Sequence, residues 1–184
     1  MLYFLEPDVS GEAPFPELHC DYVRPRGLSA LLGEHIAGRL PKLTFNAIDG
    51  AECSSGIPDF TRTVGYCIIS TRMRRVLEEN LAEVEYLPCD IVYRGRCISN
   101  QYYVANPLRK IRGVDLERSS IELDEVGIAL GVERLVLNES LFAGTPLALL
   151  HETVSLVVQP GLMSAINDGD LVGCSFVDPC TVQF

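Results

Sequence analysis

No part of this 184-residue chain approaches the roughly 20 consecutive apolar residues that a membrane helix requires. The apolar start at Met1–Leu5 is cut short by Glu6, Pro7 and Asp8 and carries no basic segment, so a secretory leader is not expected. Basic residues are scarce. Fifteen Lys and Arg stand against 25 Asp and Glu, for a net charge of −10, which argues against nucleic acid as a partner because phosphates are bound with Lys and Arg. The three histidines, His19, His35 and His151, show no paired spacing, and no CxxC occurs, so no metal site is expected. Gly127–Gly131 lacks GxGxxG spacing and a following Lys-Ser/Thr, so no phosphate-cradling loop and no cofactor is assigned. The cysteines, at 20, 53, 67, 89, 97, 174 and 180, are odd in number and irregular in spacing, which is not a disulfide framework. Cys67 lies inside the apolar run Tyr66–Ile69 and reads as a core thiol. On these absences the chain is expected to be cytoplasmic, with no membrane span, metal site or recognisable catalytic motif.

What is present is a core. Apolar residues make up 47% of the chain, enough for one packed domain over residues 1–184. Helices are expected near 28–40, 71–81 and 160–168. The first rests on Leu28, Leu31, Leu32, Ile36 and Leu40 at helical spacing before Pro41. The second opens after Ser70 as N-cap and carries Met73, Val76, Leu77 and Leu81 on one stripe. The third opens at Pro160, a residue the first helical position tolerates. Strands are read at Leu2–Leu5, Leu43–Phe45, Gly65–Ile69, Ile121–Leu123, Val126–Leu137 and Cys174–Val177. Hairpins are read at Val84–Tyr93 with Arg96–Ala105, and at Thr145–His151 with Val154–Gln159; the second places His151-Glu152 at a surface tip. Serial strands without helical spacers imply antiparallel pairing. The fold class is therefore α+β: a mostly antiparallel sheet of about six to eight strands with about three short helices packed on it.

A family resemblance enters through the order of short motifs. Tyr103-x-x-Asn106 is followed by Val114-Asp115-Leu116-Glu117-Arg118-Ser119, a short strand and a Leu-rich strand. Upstream stand Pro58-Asp59-Phe60, Ser70 and Leu87-Pro88; downstream stand Val157-Val158 and Gly173-x-x-Phe176. Over about residues 56–177 this order resembles immunity-protein family eleven of bacterial polymorphic toxin systems. Residues 1–55 carry no resemblance and form a separate N-terminal part, beside an immunity-like core at 56–184. The resemblance implies a protein that binds a cognate toxin domain and blocks it stoichiometrically, without catalysis. The toxin would be encoded by a neighbouring gene.

Charge suggests where such a partner meets the chain. Residues 114–184 hold 11 acidic groups and two arginines, nearly the whole negative excess. An acidic face steers a basic partner and discriminates among partners, so the expected partner is a basic toxin, met by Glu117, Glu122, Asp124, Glu125 and Glu133. Two other classes stay open. A small cytosolic enzyme would need a pocket joining Cys20, Cys53 or Cys67 to His35 or His151. An oligomerising scaffold would need an exposed apolar strand edge such as Val154–Val158.

Overall fold

The computed structural model describes residues 1–8, 17–20, 22, 33–48, 56–63 and 65–183. The described strands begin with β1 (Tyr3–Pro7), β2 (Leu18–His19), β3 (Leu43–Ala47), β4 (Phe60–Thr63) and β5 (Tyr66–Ser70), which leads into helix α1 (Thr71–Glu79). They continue with β6 (Val84–Tyr93), β7 (Arg96–Pro107), β8 (Lys110–Ile111), β9 (Ser120–Leu123) and β10 (Ala129–Arg134). Last come β11 (Leu147–Leu150), β12 (Leu156–Val158), helix α2 (Pro160–Asp168) and β13 (Cys174–Val177). One sheet runs β13-β1-β12-β11-β8, a second runs β2-β3-β6-β7-β5-β4, and β9-β10 form a two-stranded sheet. Pairing is antiparallel except between β3 and β6 and between β8 and β11.

The apolar runs mark strands buried on both faces, where alternation of polar and apolar residues is lost. In β5, Cys67 and Ile69 join the core between the two large sheets, while Tyr66 and Ile68 join a second core on the far side of the six-stranded sheet. In β11 and β12, Leu147, Leu149, Leu156 and Val158 face the central core; Ala148, Leu150 and Val157 face a third. Helices α1 and α2 close the central core with Met73, Leu77, Leu162 and Ile166. The β9-β10 hairpin and residues 135–142 cover the outer face of the five-stranded sheet, through Val132, Leu135, Leu137 and Phe142. Arg62 of β4 crosses between the large sheets. It donates to the Glu6 carboxylate on β1 at 3.1 Å and to the Val154 carbonyl, also at 3.1 Å.

Local chemistry explains the elements that match expectation. The β6-β7 hairpin turns at Arg94 and Gly95, both at positive φ (48° and 75°), the backbone of a two-residue turn matched to strand twist. Ser70 caps α1 by accepting from the N–H groups of Arg72 and Met73.

Three expectations are corrected. In place of one sheet of about six to eight strands, the described residues form three sheets, of five, six and two strands, because the apolar runs bury both faces of their strands and so build stacked layers. The helix read over 28–40 is not formed in its described part: residues 28–32 lie outside the described residues, and 33–40 are bends and turns. Gly33 and Gly38 take φ of +75° and +76°, and the N–H groups of Ile36 and Ala37 donate to Glu85 rather than to helical carbonyls. Two α-helices, not three, are therefore found among the described residues. Val154–Val158 is no free edge: β12 lies between β1 and β11 and is fully buried.

Candidate functional site

Two of the sequence motifs, Pro58-Asp59-Phe60 and Ser70, meet at Asp59, and a third, Gly173-x-x-Phe176, begins one residue past its partner Val172. This residue precedes β4 and is 6% exposed. It accepts the Ser70 hydroxyl, the Arg72 guanidinium at 3.1 Å and the Val172 N–H at 3.0 Å. The other end of the Arg72 guanidinium donates to the carbonyls of Gly169 and Asp170, just past α2. Arg72 sits at the positive end of α1, where its charge is unfavourable; the Asp59 carboxylate and the two carbonyls offset that. Ser70 Oγ donates to Asp59 and accepts two backbone N–H groups, so its oxygen is committed to capping rather than to nucleophilic attack. Beside this cluster opens a cavity of about 560 Å³, lined by Ile57, Thr71, Arg72, Ile98, Gln101 and Tyr102 among others.

A second cluster forms around Glu85 on β6. Its carboxylate accepts from Ile36 N–H at 2.9 Å, Ala37 N–H at 3.0 Å and the Asn106 side-chain amide at 2.9 Å, with His35 Nδ1 at 3.3 Å. Burial pushes the Glu85 carboxyl up, but these donors together outweigh it and hold it below its ordinary value. Asn106 is fully buried and also donates to the Glu34 carbonyl at 2.7 Å. Asn106, the last motif residue of Tyr103-x-x-Asn106, is thus a fastener for residues 34–37. Tyr103 belongs to a third arrangement, with the Arg74 guanidinium 4.7 Å from its ring centroid and 4.9 Å from that of Tyr86.

Among the described residues, His35 and His151 are engaged by groups other than thiols. Burial pushes the Cys67 thiol up to about 11 and the Cys89 thiol to about 12, which keeps them protonated and weakly nucleophilic at neutral pH. His35 faces Glu85, and His151 Nε2 lies 2.9 Å from the Val126 carbonyl. Cys20 packs against the cluster containing Leu18 and Phe45. Cys53 lies outside the described residues.

The five acids expected at an interface divide by role. Glu117, Glu122, Glu125 and Glu133 are exposed. Asp124 is half-buried, and its carboxylate accepts the N–H groups of Val126 and Ile128 at 2.9 and 2.8 Å; it builds the β9-β10 turn. Glu122 and Glu133 flank a shallow depression of about 410 Å³, with Gly131 between them. Ser120 Oγ donates to Glu133 at 2.9 Å. Glu152, expected at a surface tip, is buried instead. Its carboxylate accepts the Gly113 N–H at 3.3 Å and its carbonyl accepts the Ala129 N–H at 2.7 Å. It thereby joins the hairpin to the five-stranded sheet, a role that a Glu beside a turn does not announce.

The immunity protein family (Imm11) matches residues 22–180. The chain belongs to this family. The match begins well before residue 56, so most of the N-terminal part set aside by the motif reading is included. A comparison with curated proteins returned no match. In this Imm11-family chain the motifs act as joints. Asp115 accepts Arg118 N–H, Ser119 Oγ donates to Val136 O and accepts Val136 N–H, and Val114 bridges to Leu137. The Val114–Ser119 motif thus fastens the base of the β9-β10 hairpin.

Proposed function

We propose that this chain binds a cognate toxin one to one and blocks it, in the cytoplasm of the cell that makes both, with no chemistry of its own. Membership of the immunity protein family over residues 22–180 carries this reading. The partner is a basic protein encoded by a neighbouring gene. The exposed carboxylates of Glu117, Glu122, Glu125 and Glu133 support a basic partner, since opposed charge speeds encounter and rejects wrong partners. Inhibition is steric and electrostatic: the toxin's working surface is covered.

Co-expression with the product of the adjacent gene tests this. The expected result is rescue from toxicity and a 1:1 complex that weakens as salt rises. A neighbour that remains toxic in the presence of this chain and does not bind it overturns the proposal.

A further inference from the structure

We propose that the outer face of the β9-β10 hairpin is the docking surface, with Leu130 as its apolar anchor and Glu122, Glu125 and Glu133 as its rim. This rests on the immunity reading and narrows it to one surface. The hairpin pairs with no other strand among the described residues. Its inner side is fixed by packing: Ala129, Val132 and Leu135 all face the core. That interval of three departs from the two-residue alternation of a strand. Irregularities in register between Ala129 and Gly131 and between Val132 and Arg134 accommodate it. In a regular strand Leu130 and Val132 would share a side; here Leu130 is 63% exposed and Val132 is 3% exposed. Bulges re-aim side chains in this way. The first leaves a leucine in water, where an isolated chain gains nothing from it.

Val126, at the hairpin turn, is exposed to the same degree. The same segment, residues 114–134, holds six carboxylates and two arginines, and four of the carboxylates, those of Glu117, Glu122, Glu125 and Glu133, are exposed. An apolar centre within a charged rim is the anatomy of a protein interface. The hairpin is also held in place before any partner arrives. The Val126 carbonyl is met by His151 Nε2 at 2.9 Å and by Arg112 at 3.4 Å, and Ala129 N–H donates to the Glu152 carbonyl at 2.7 Å. Preorganisation of this kind lowers the entropy lost on binding. Charge complementarity selects the occupant: a basic protein surface, with an apolar cup for Leu130 ringed by Lys and Arg.

The experiment uses the full chain and the toxin domain of the adjacent gene, with Kd measured by calorimetry at low and high salt. Leu130→Ser is expected to weaken binding about tenfold or more. The double variant Glu122→Lys/Glu133→Lys is expected to slow association, most strongly at low salt. Leu81→Ser, at an exposed leucine just past the end of α1, should bind as the wild type does. Thermal melts verify that each variant folds; both sets of substitutions are at exposed positions. Wild-type binding with both hairpin variants binding equally well overturns the docking surface and leaves the immunity reading standing. A wild-type chain that does not bind overturns the immunity reading itself.

Discussion

A Cβ built on Gly173 would stand 2.4 Å from the Cβ of Pro58 and 2.7 Å from the Phe60 carbonyl oxygen. Gly173 also takes φ of +87°, a region that L side chains enter at a cost of about 1–2 kcal/mol. Close approach here lets Asp59 reach the N–H of Val172. Gly173→Ala should therefore destabilise the fold by about 2–4 kcal/mol, combining the clash with the strain. Urea unfolding measures it; a change under about 0.5 kcal/mol would refute this account of the contact.

Glu85 gives the fold an acid-sensitive joint. Its folded carboxyl lies below the ordinary value of 4.5: burial opposes this, and the donors from Ile36, Asn106, Ala37 and His35 produce it. A depressed folded value means that the contribution is complete above about pH 4.5 and is lost as pH falls through the folded value. Glu85→Gln should reduce stability at pH 7 by about 1–3 kcal/mol, the range for leaving buried donors poorly paired. The gap between wild type and variant should narrow as pH falls from 5 towards 2. Chemical denaturation across that range measures both, and a gap independent of pH would contradict the assignment.

Thiol reactivity should separate by burial. Cys67, Cys89 and Cys174 are pushed up to about 11, about 12 and about 12, each mainly by burial. Cys97 is exposed. Alkylation of the native chain at pH 8, read by peptide mass spectrometry, should modify Cys97 and spare those three until denaturant is added. Modification of Cys67 at the rate of Cys97 would mean that the central core opens readily.

Leu81 invites a stabilising change. It follows the C-cap of α1 at φ of +57° and is 81% exposed. Its N–H donates to the Glu78 carbonyl and that of Ala82 to Leu77, the bonding of a Schellman motif, whose left-handed position favours glycine. Leu81→Gly should raise stability by about 0.5–1 kcal/mol, because the strain removed exceeds the added entropy of the unfolded chain. A lower unfolding midpoint would show that the leucine makes contacts its exposure does not suggest.

These sites also show how far the sequence could be read. The β6-β7 hairpin, α1 and α2 were legible because turn, cap and proline signals agree with the apolar pattern around them. The stretch at 28–40 misled because its leucines fall at helical spacing, while Gly33 and Gly38 break the path and a carboxylate 49 residues from Ile36 takes its N–H. Around Leu130 the obstacle was periodicity: residues packing inward every third position match neither a strand nor a helix. Glu152 was misplaced, and the turn-building role of Asp124 went unread, for one reason. Charge alone does not reveal whether a carboxylate will find backbone N–H groups to accept.

The position of β1 has a consequence for synthesis. This strand is made before every other described strand, yet it lies between β12 and β13, which are made after all the rest. Its neighbours do not exist until residues 156–177 have emerged from the ribosome. Until then Phe4 and Leu5 have no sheet to enter, and both edges of β1 are open to other chains. A product truncated before α2 would keep the hairpin's sequence and yet leave the sheet beneath it unfinished.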